Sequence, residues 1–486
     1  MLFSDPRFFV FLAGLLALLA VLPSNRSKKQ ALAIASCLFY AAWDYRYPPL
    51  LLLVAAVGQI AALRIAATSD GRLRRRWLVL SIGTSLSVLG YFKYTNFFLG
   101  TINMLVPQAH LPILNVLLPA GISFYTFKTM SYAIDVYRGE LPPCRSLLDY
   151  ITFATFFPEL IAGPIVRASV FLPQMGRPIG PSKSRLAIGA SVFLLGLTKK
   201  LLIADRLGQV VDPIFAQPAL YSSVTIWAGV VAYTAQIYCD FSGYSDMAIG
   251  TAKMIGYDLP QNFRMPYLSA NIADFWRRWH ITLSSWLRDY LYIPLGGNRH
   301  GTGRTYVNLM LTMALGGLWH GASWNFVAWG TMHGLALAAH RAWGRRVPMP
   351  RAVATALTLL FVMLCWIPFR APNVGATLVM LKGCFVPHDG VVWLPTALGW
   401  CLVLLVIGHI VGATLDRVVE ESRRLPALVR TGLAMVGATL HRDDVTGWYV
   451  ELAGYPAGGA FLIASWVLLI FLFAPTTTQP FIYFQF

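Results

Sequence analysis

Two histidines and two aspartates stand where a mostly apolar chain has little reason to keep them. His320 lies in the run L-G-G-L-W-H-G-A-S-W-N-F, between two apolar segments. Imidazole is the side chain best poised near neutral pH for moving a proton. Gly316, Gly317 and Gly321 allow close backbone approach or a broken helix around it. The plainer alternative is a packing histidine bonded to a backbone carbonyl, but the glycines and the flanking Trp319 and Trp324 favour chemistry. His280, in W-R-R-W-H-I-T-L-S-S-W, is open to two readings: a reactive group, or a polar residue on a solvated helix face. Asp240 and Asp246 lie in Q-I-Y-C-D-F-S-G-Y-S-D-M-A-I-G. They could pair with Lys or Arg from neighbouring helices, orient a histidine, or line a polar tunnel, and a structural ion pair is as good an account as a catalytic role.

Two further groups sit near Pro-Gly breaks. F-F-P-E-L-I-A-G-P-I-V-R carries Glu159 and Arg167, and L-P-A-G-I-S-F-Y-T-F-K-T-M-S-Y-A-I-D-V-Y-R-G carries Lys128, Asp135 and Arg138. These suit helix packing, or a mouth for an anionic cofactor whose phosphates would meet Arg and Lys. The chain has no Walker A run, no GxSxG elbow and no HExxH, which argues against an ATPase, a serine hydrolase and a zinc protease of that type. The six cysteines form no CxxC pair and read as packing residues, and no metal is expected.

The elements that must position these groups are membrane helices. Of 486 residues, 57% are hydrophobic and 12% charged, against about 25% charged in a soluble domain. Mean hydropathy is +0.59. The apolar runs are continuous rather than alternating, which selects helices over a barrel. The net charge of +18 suits loops facing anionic headgroups, because the basic residues sit between apolar runs, and nucleic-acid binding is not expected. Candidate spans are 8–22, 30–45, 48–67, 77–97, 112–135, 147–165, 186–204, 223–239, 243–256, 306–320, 324–341, 352–369, 394–413 and 458–475. Several are short or broken, so about eleven true crossings are expected. The first run, Phe8 to Leu22, reads as a retained span rather than a signal peptide. Arg26, Lys28 and Lys29, and then Arg72, Arg74, Arg75 and Arg76, share one face, which the positive-inside rule makes cytoplasmic, leaving the N-terminus outside.

Residues 262–299 break the spanning pattern. Ser269 or Asn271 can cap a helix with Asp274 in its first turn. Trp276, Trp279, Leu283, Trp286, Leu287 and Tyr290 recur at three- and four-residue steps, with Arg277, Arg278, Ser284, Ser285 and Arg288 largely between them. That pattern predicts one amphipathic helix lying at the interface, carrying His280. Asp416–Arg424 and Arg442–Asp444 read as polar connections.

Taken together, these motifs resemble the membrane-bound O-acyltransferase family, and within it the alginate O-acetyltransferase branch. The similarity runs end to end. It includes the opening M-L-F-S, the two Pro-Gly motifs above, D-F-S-G-Y-S-D-M-A-I-G, N-F-R-M-P-Y, D-F-W-R-R-W-H-I-T-L-S-S-W-L-R-D-Y-L-Y-I-P-L-G-G-N-R and G-L-W-H-G-A-S-W. The D-alanyl transferase branch that decorates teichoic acids shares many of them. The resemblance implies a single all-α polytopic membrane domain over 1–486, with about eleven transmembrane helices and re-entrant or interfacial helices around a central tunnel. It implies His320 as catalytic general base, with His280 positioning the donor or stabilising charge on its carbonyl oxygen. Asp240, Asp246, Trp319, Trp324, Arg277 and Arg278 would line the tunnel or orient the histidines. It further implies acetyl-CoA as donor, a bacterial inner-membrane location, a periplasmic transferase of the SGNH type as partner, and an exported polysaccharide as final acceptor. The aromatic tail 476–486 ends Q-P-F-I-Y-F-Q-F and resembles the tail of a small partner peptide in the D-alanyl branch. Tyr483 is therefore a candidate acyl relay, with interfacial anchoring the alternative. Competing functions are D-alanyl transfer to teichoic acid, and a non-enzymatic transporter or scaffold of a polysaccharide export complex; a transporter would predict inverted repeats, and none is visible.

Overall fold

The computed structural model describes residues 2–343, 348–420, 439–443, 447–451, 456–475 and 479–482. Helices dominate them, and four are long and apolar enough to cross a bilayer: Pro48–Ala67, Lys183–Ala216, Arg351–Arg370 and Thr396–Asp416. The chain divides into two compact units, Met1–Ala190 with Ala248–Pro260, and Ser191–Met247 with Gln261–Phe486.

In the first unit, side chains that fit helix starts mark the boundaries. Asp5 caps Pro6–Val21, with proline at the first helical position, where its missing N–H costs nothing. Ser24 and Ser27 cap Asn25–Ala41 reciprocally, and Asp70 accepts from the Arg72 amide at the start of Gly71–Leu89. Pro48–Ala67 packs against Gly71–Leu89 and Ile122–Arg138. Gly58 lets the first and third of these approach, since a Cβ there would collide with Thr129. Lys128 and Glu159 form a buried ion pair here, and Lys128 also donates to the Phe153 carbonyl. The expected span 112–135 starts late: regular helix begins only at Ile122, behind Gly121 in the left-handed region (φ 73°). The span expected over 147–165 is instead the short helices Leu147–Thr155 and Phe157–Leu160, consistent with Pro158 and the Gly-Pro pair that follows.

The second unit holds the candidate site. Helices Gly301–His320 and Trp324–Trp343 pack along each other, followed by Arg351–Arg370. The Lys183–Thr198 helix widens into a π-helical segment, Lys199–Ala204, before Asp205–Ala216. The two spans expected at 223–239 and 243–256 are one helix, Ser223–Ile255. Gly243 does not break it. The residue lies against the Gly196 carbonyl oxygen, 2.7 Å from where a Cβ would stand, so its value is close approach. Thr439–Asp443 and Gly447–Glu451 pair antiparallel, with Thr439 opposite Glu451. The helix Thr396–Glu420 includes Asp416, expected in a connection. Tyr483 lies outside the described residues.

Candidate active site

The predicted interfacial helix is two short helices, Ile272–Arg278 and Ile281–Leu287, separated at Trp279–His280. Asn271 caps the first as expected, accepting from the Asp274 amide at 2.8 Å. His280 stands at the break with φ 43° and ψ 54° and is wholly buried. A non-glycine residue in this left-handed region costs about 1–2 kcal/mol, and such outliers persist where the surroundings enforce them. The solvated-face reading of His280 is therefore wrong.

What enforces the break is a neighbouring segment. The Ile281 amide donates to the Asn262 carbonyl at 3.0 Å, and the Arg264 amide to the Arg278 carbonyl at 2.9 Å. The Asn262 side chain then fixes the imidazole. Its Oδ1 accepts from the Thr282 amide (3.3 Å) and from Thr282 Oγ1 (3.0 Å), and its Nδ2 faces Ser245 Oγ at 3.3 Å. An oxygen that takes a backbone N–H is an acceptor, so the His280 Nδ1 lying 3.1 Å from it carries a proton. Neutral His280 thus presents a lone pair at Nε2, and that nitrogen has no hydrogen-bond partner among the described residues. Leaving a buried polar atom unpaired costs about 1–3 kcal/mol, a second expense at the same residue.

His320 is positioned by different means. It is the last residue of Gly301–His320, and glycines bring the following helix against it. A Cβ at Gly317 would collide with the Phe326 carbonyl oxygen, one at Gly330 with the Met313 carbonyl oxygen, and one at Gly321 with the Phe326 ring. The His320 ring centroid lies 5.0 Å from Trp319, 5.0 Å from Trp329 and 5.3 Å from Phe369. His280 faces Phe241 edge-on at 4.6 Å and Trp319 at 6.1 Å. The two imidazoles are 6.3 Å apart, centroid to centroid. Two rings that can each exchange a proton thus lie close together among aromatic residues.

The other expected residues divide. Trp319 is buried beside both histidines, whereas Trp324 is 48% exposed. Arg277 is exposed, and Arg278 pairs with Asp274 at 3.1 Å, so neither arginine reaches the imidazoles. Asp246 pairs with Lys199 at 2.6 Å. Asp240 pairs with Lys200 at 2.8 Å, and Lys200 also meets Asp205 at 2.8 Å. Among the described residues no three His, Cys, Asp or Glu side chains gather as a metal-binding set. The sequence reading missed Asn262, though it lies in the quoted N-F-R-M-P-Y run. It also missed His333, wholly buried beside Trp329 (4.8 Å) and Trp276 (5.2 Å), one helical turn beyond Trp329.

Comparison with known proteins turns this geometry into an identity. Residues 140–369, which contain both histidines and Asn262, match the membrane-bound O-acyltransferase (MBOAT) family. A protein named probable alginate O-acetylase AlgI from Azotobacter vinelandii is 39% identical over 513 residues, covering 100% of both chains. The chain belongs to the membrane-bound O-acyltransferase family. As an MBOAT protein it is an O-acyltransferase and a multi-pass membrane protein. Another MBOAT-type relative, the peptidoglycan O-acetyltransferase of Helicobacter pylori, is 40% identical over 419 residues, 79% of each chain. The teichoic acid D-alanyltransferase of Bacillus subtilis is more distant, 28% identical over 249 residues, 48% of this chain and 62% of that one.

Proposed function

We propose that the chain moves acetyl groups from a cytoplasmic thioester donor, acetyl-CoA, across the bacterial inner membrane for O-acetylation of an exported polysaccharide. The observation that carries this reading is the buried His280–His320 pair, set 6.3 Å apart within an aromatic enclosure, in a chain whose full-length relative is named for alginate acetylation. His320 takes the proton of the acceptor hydroxyl as its oxygen attacks the thioester carbonyl carbon. The C–O bond forms, the C–S bond breaks, and the proton passes from His320 to the leaving thiolate, so the imidazole ends as it began. His280 plays the positioning part. With its proton held on Nδ1 by Asn262, its Nε2 lone pair holds an N–H or O–H of the bound donor. Stabilising the carbonyl oxygen would require a doubly protonated ring, so the hydrogen bonds favour positioning over charge stabilisation.

Tyr483 is the proposed relay: its hydroxyl receives the acetyl group as an ester and passes it to a periplasmic transferase of the SGNH type, which acetylates the polymer. The N-terminus lies outside in this reading, from the charge of the early loops. The test is acetyl content of exported polysaccharides and peptidoglycan in cells carrying wild type, His320→Ala or Tyr483→Phe at matched expression. Loss of O-acetyl groups from one polymer in His320→Ala supports the enzyme reading and names the acceptor. Unchanged acetylation of every polymer, with the protein present, overturns it. Full acetylation in Tyr483→Phe, which keeps the ring and removes only the hydroxyl, sinks the relay alone.

A further inference from the structure

A second buried polar site lies in the same unit, and the transfer chemistry above does not use it. Lys200, Asp205 and Asp240 are all buried, and the lysine ammonium sits 2.8 Å from each carboxylate. One cation between two carboxylates leaves one negative charge uncompensated, which a low-dielectric interior does not tolerate without further donors. The donor comes from a segment far along the sequence. The Ile482 amide donates to Asp240 Oδ2 at 2.7 Å, and Lys200 donates in turn to the Gln479 carbonyl at 2.9 Å. The cluster therefore grips both a backbone amide and a backbone carbonyl of the segment Gln479–Ile482.

Its position follows from local structure. Lys200 projects from the π-helical segment Lys199–Ala204, a widening that turns side chains out of α-helical register and recurs at functional sites. The helix before the tail is docked on the same region: Trp466 Nε1 donates to Thr198 Oγ1 at 2.9 Å, and Arg206 donates to the Phe473 carbonyl at the helix end. Gly208 leaves room for the Gln479 side chain, whose Cγ would stand 3.1 Å from a Cβ there. Phe481, 1% exposed, lies against Tyr244 at 4.5 Å and Phe241 at 5.9 Å, and Phe241 is the ring that faces His280. Phe241 thus touches both Phe481 of the tail and His280.

We infer that Lys200, Asp205 and Asp240 form a backbone receptor that seats the segment Gln479–Ile482 of this same protein beside His280. Recognition is of the peptide backbone, so the side chain at 482 matters less than its N–H. Asp240 and Lys200 are positioning residues, which hold the tail and do not touch the reacting atoms. The functional meaning of the seat rests on the relay reading, but its existence does not.

The test is hydrogen–deuterium exchange of the full-length protein purified in detergent, read on peptides covering the tail and covering residues 262–290 and 310–330, with no acyl donor present. The wild-type tail is expected to exchange slowly at Phe481 and Ile482. Asp240→Ala and Lys200→Met are expected to speed that exchange by about tenfold or more while both histidine peptides stay protected. If those variants also loosen the histidine peptides, Ile482→Pro decides. It removes the N–H that Asp240 accepts, along with the isoleucine side chain and the freedom of φ, but leaves Lys200, Asp205 and Asp240 unchanged, and it too must release its neighbours in the tail. A tail that exchanges freely in wild type, or stays protected in Asp240→Ala or in Ile482→Pro, overturns the inference. Because no transfer is measured, a protected tail with an inert Tyr483 would sink the relay and leave the seat standing.

Discussion

His280 and His320 lie among the same aromatic rings, and different described contacts place them. His280 is fixed by hydrogen bonds: a strained backbone turn, a carbonyl-to-amide link to Asn262, and a side-chain amide that fixes where its proton sits. The described contacts around His320 include close packing: a helix end, glycines that admit the next helix, and three aromatic rings against the imidazole. Hydrogen bonds determine the direction and protonation of a ring, whereas packing determines its place. A site that needs one group with a defined lone pair and another at a defined point is served by that division.

The largest expected effect is at His320 itself. Replacing it with alanine should lower acetyl transfer by at least about a hundredfold, the usual scale of a lost proton-transfer group, measured with purified protein and a labelled donor. Asn262→Leu comes next. It keeps bulk but removes the acceptor at Nδ1, so His280 loses its tautomer and its aim. A loss of about 1–3 kcal/mol in positioning corresponds to roughly fivefold to 150-fold in rate, with the melting temperature shifting less than the rate. If Asn262→Leu is fully active, the hydrogen-bonded half of the contrast fails. Gly317→Ala tests the packed half. The added methyl would press on the backbone of Phe326 and of Gly330, so the helices must separate, at about 1–3 kcal/mol. Thermal stability and activity should fall together. The smallest effect is expected for Trp324→Ala, about twofold or less in rate and within about 0.5 kcal/mol in stability, because that indole is half-exposed. A large loss there would mean the enclosure extends further than the rings around His320.

The same contrast explains what could be read from sequence. The packed half was legible: glycines beside His320 announced close approach, and the helices on either side followed from hydropathy. The hydrogen-bonded half was not. Aromatic periodicity runs through Trp279 and His280 without interruption, so nothing in residue type marked a left-handed turn at a histidine. Asn262 is 18 positions away, and only the fold brings it to the ring. The two spans expected at 223–239 and 243–256 are one helix, and the glycine where they would have parted, Gly243, serves a close approach to Gly196. Asp240 and Asp246 stand out in an apolar run, but their ion-pair partners, Lys200 and Lys199, lie about 40 or more positions earlier. A π-helical widening that aims Lys200 has no clear sequence signature.

The rings around the two histidines have a further consequence. An activated acyl group loses its energy to water as readily as it delivers it to an alcohol. Within walls of indole and phenyl, water has few polar partners to hold it there. A thioester carbonyl resting among Trp319, Trp329, Phe241 and Phe369 would meet its acceptor before it met bulk solvent. On the proposed mechanism the aromatic lining would act as insulation, keeping the acyl donor from being hydrolysed whenever the acceptor is scarce.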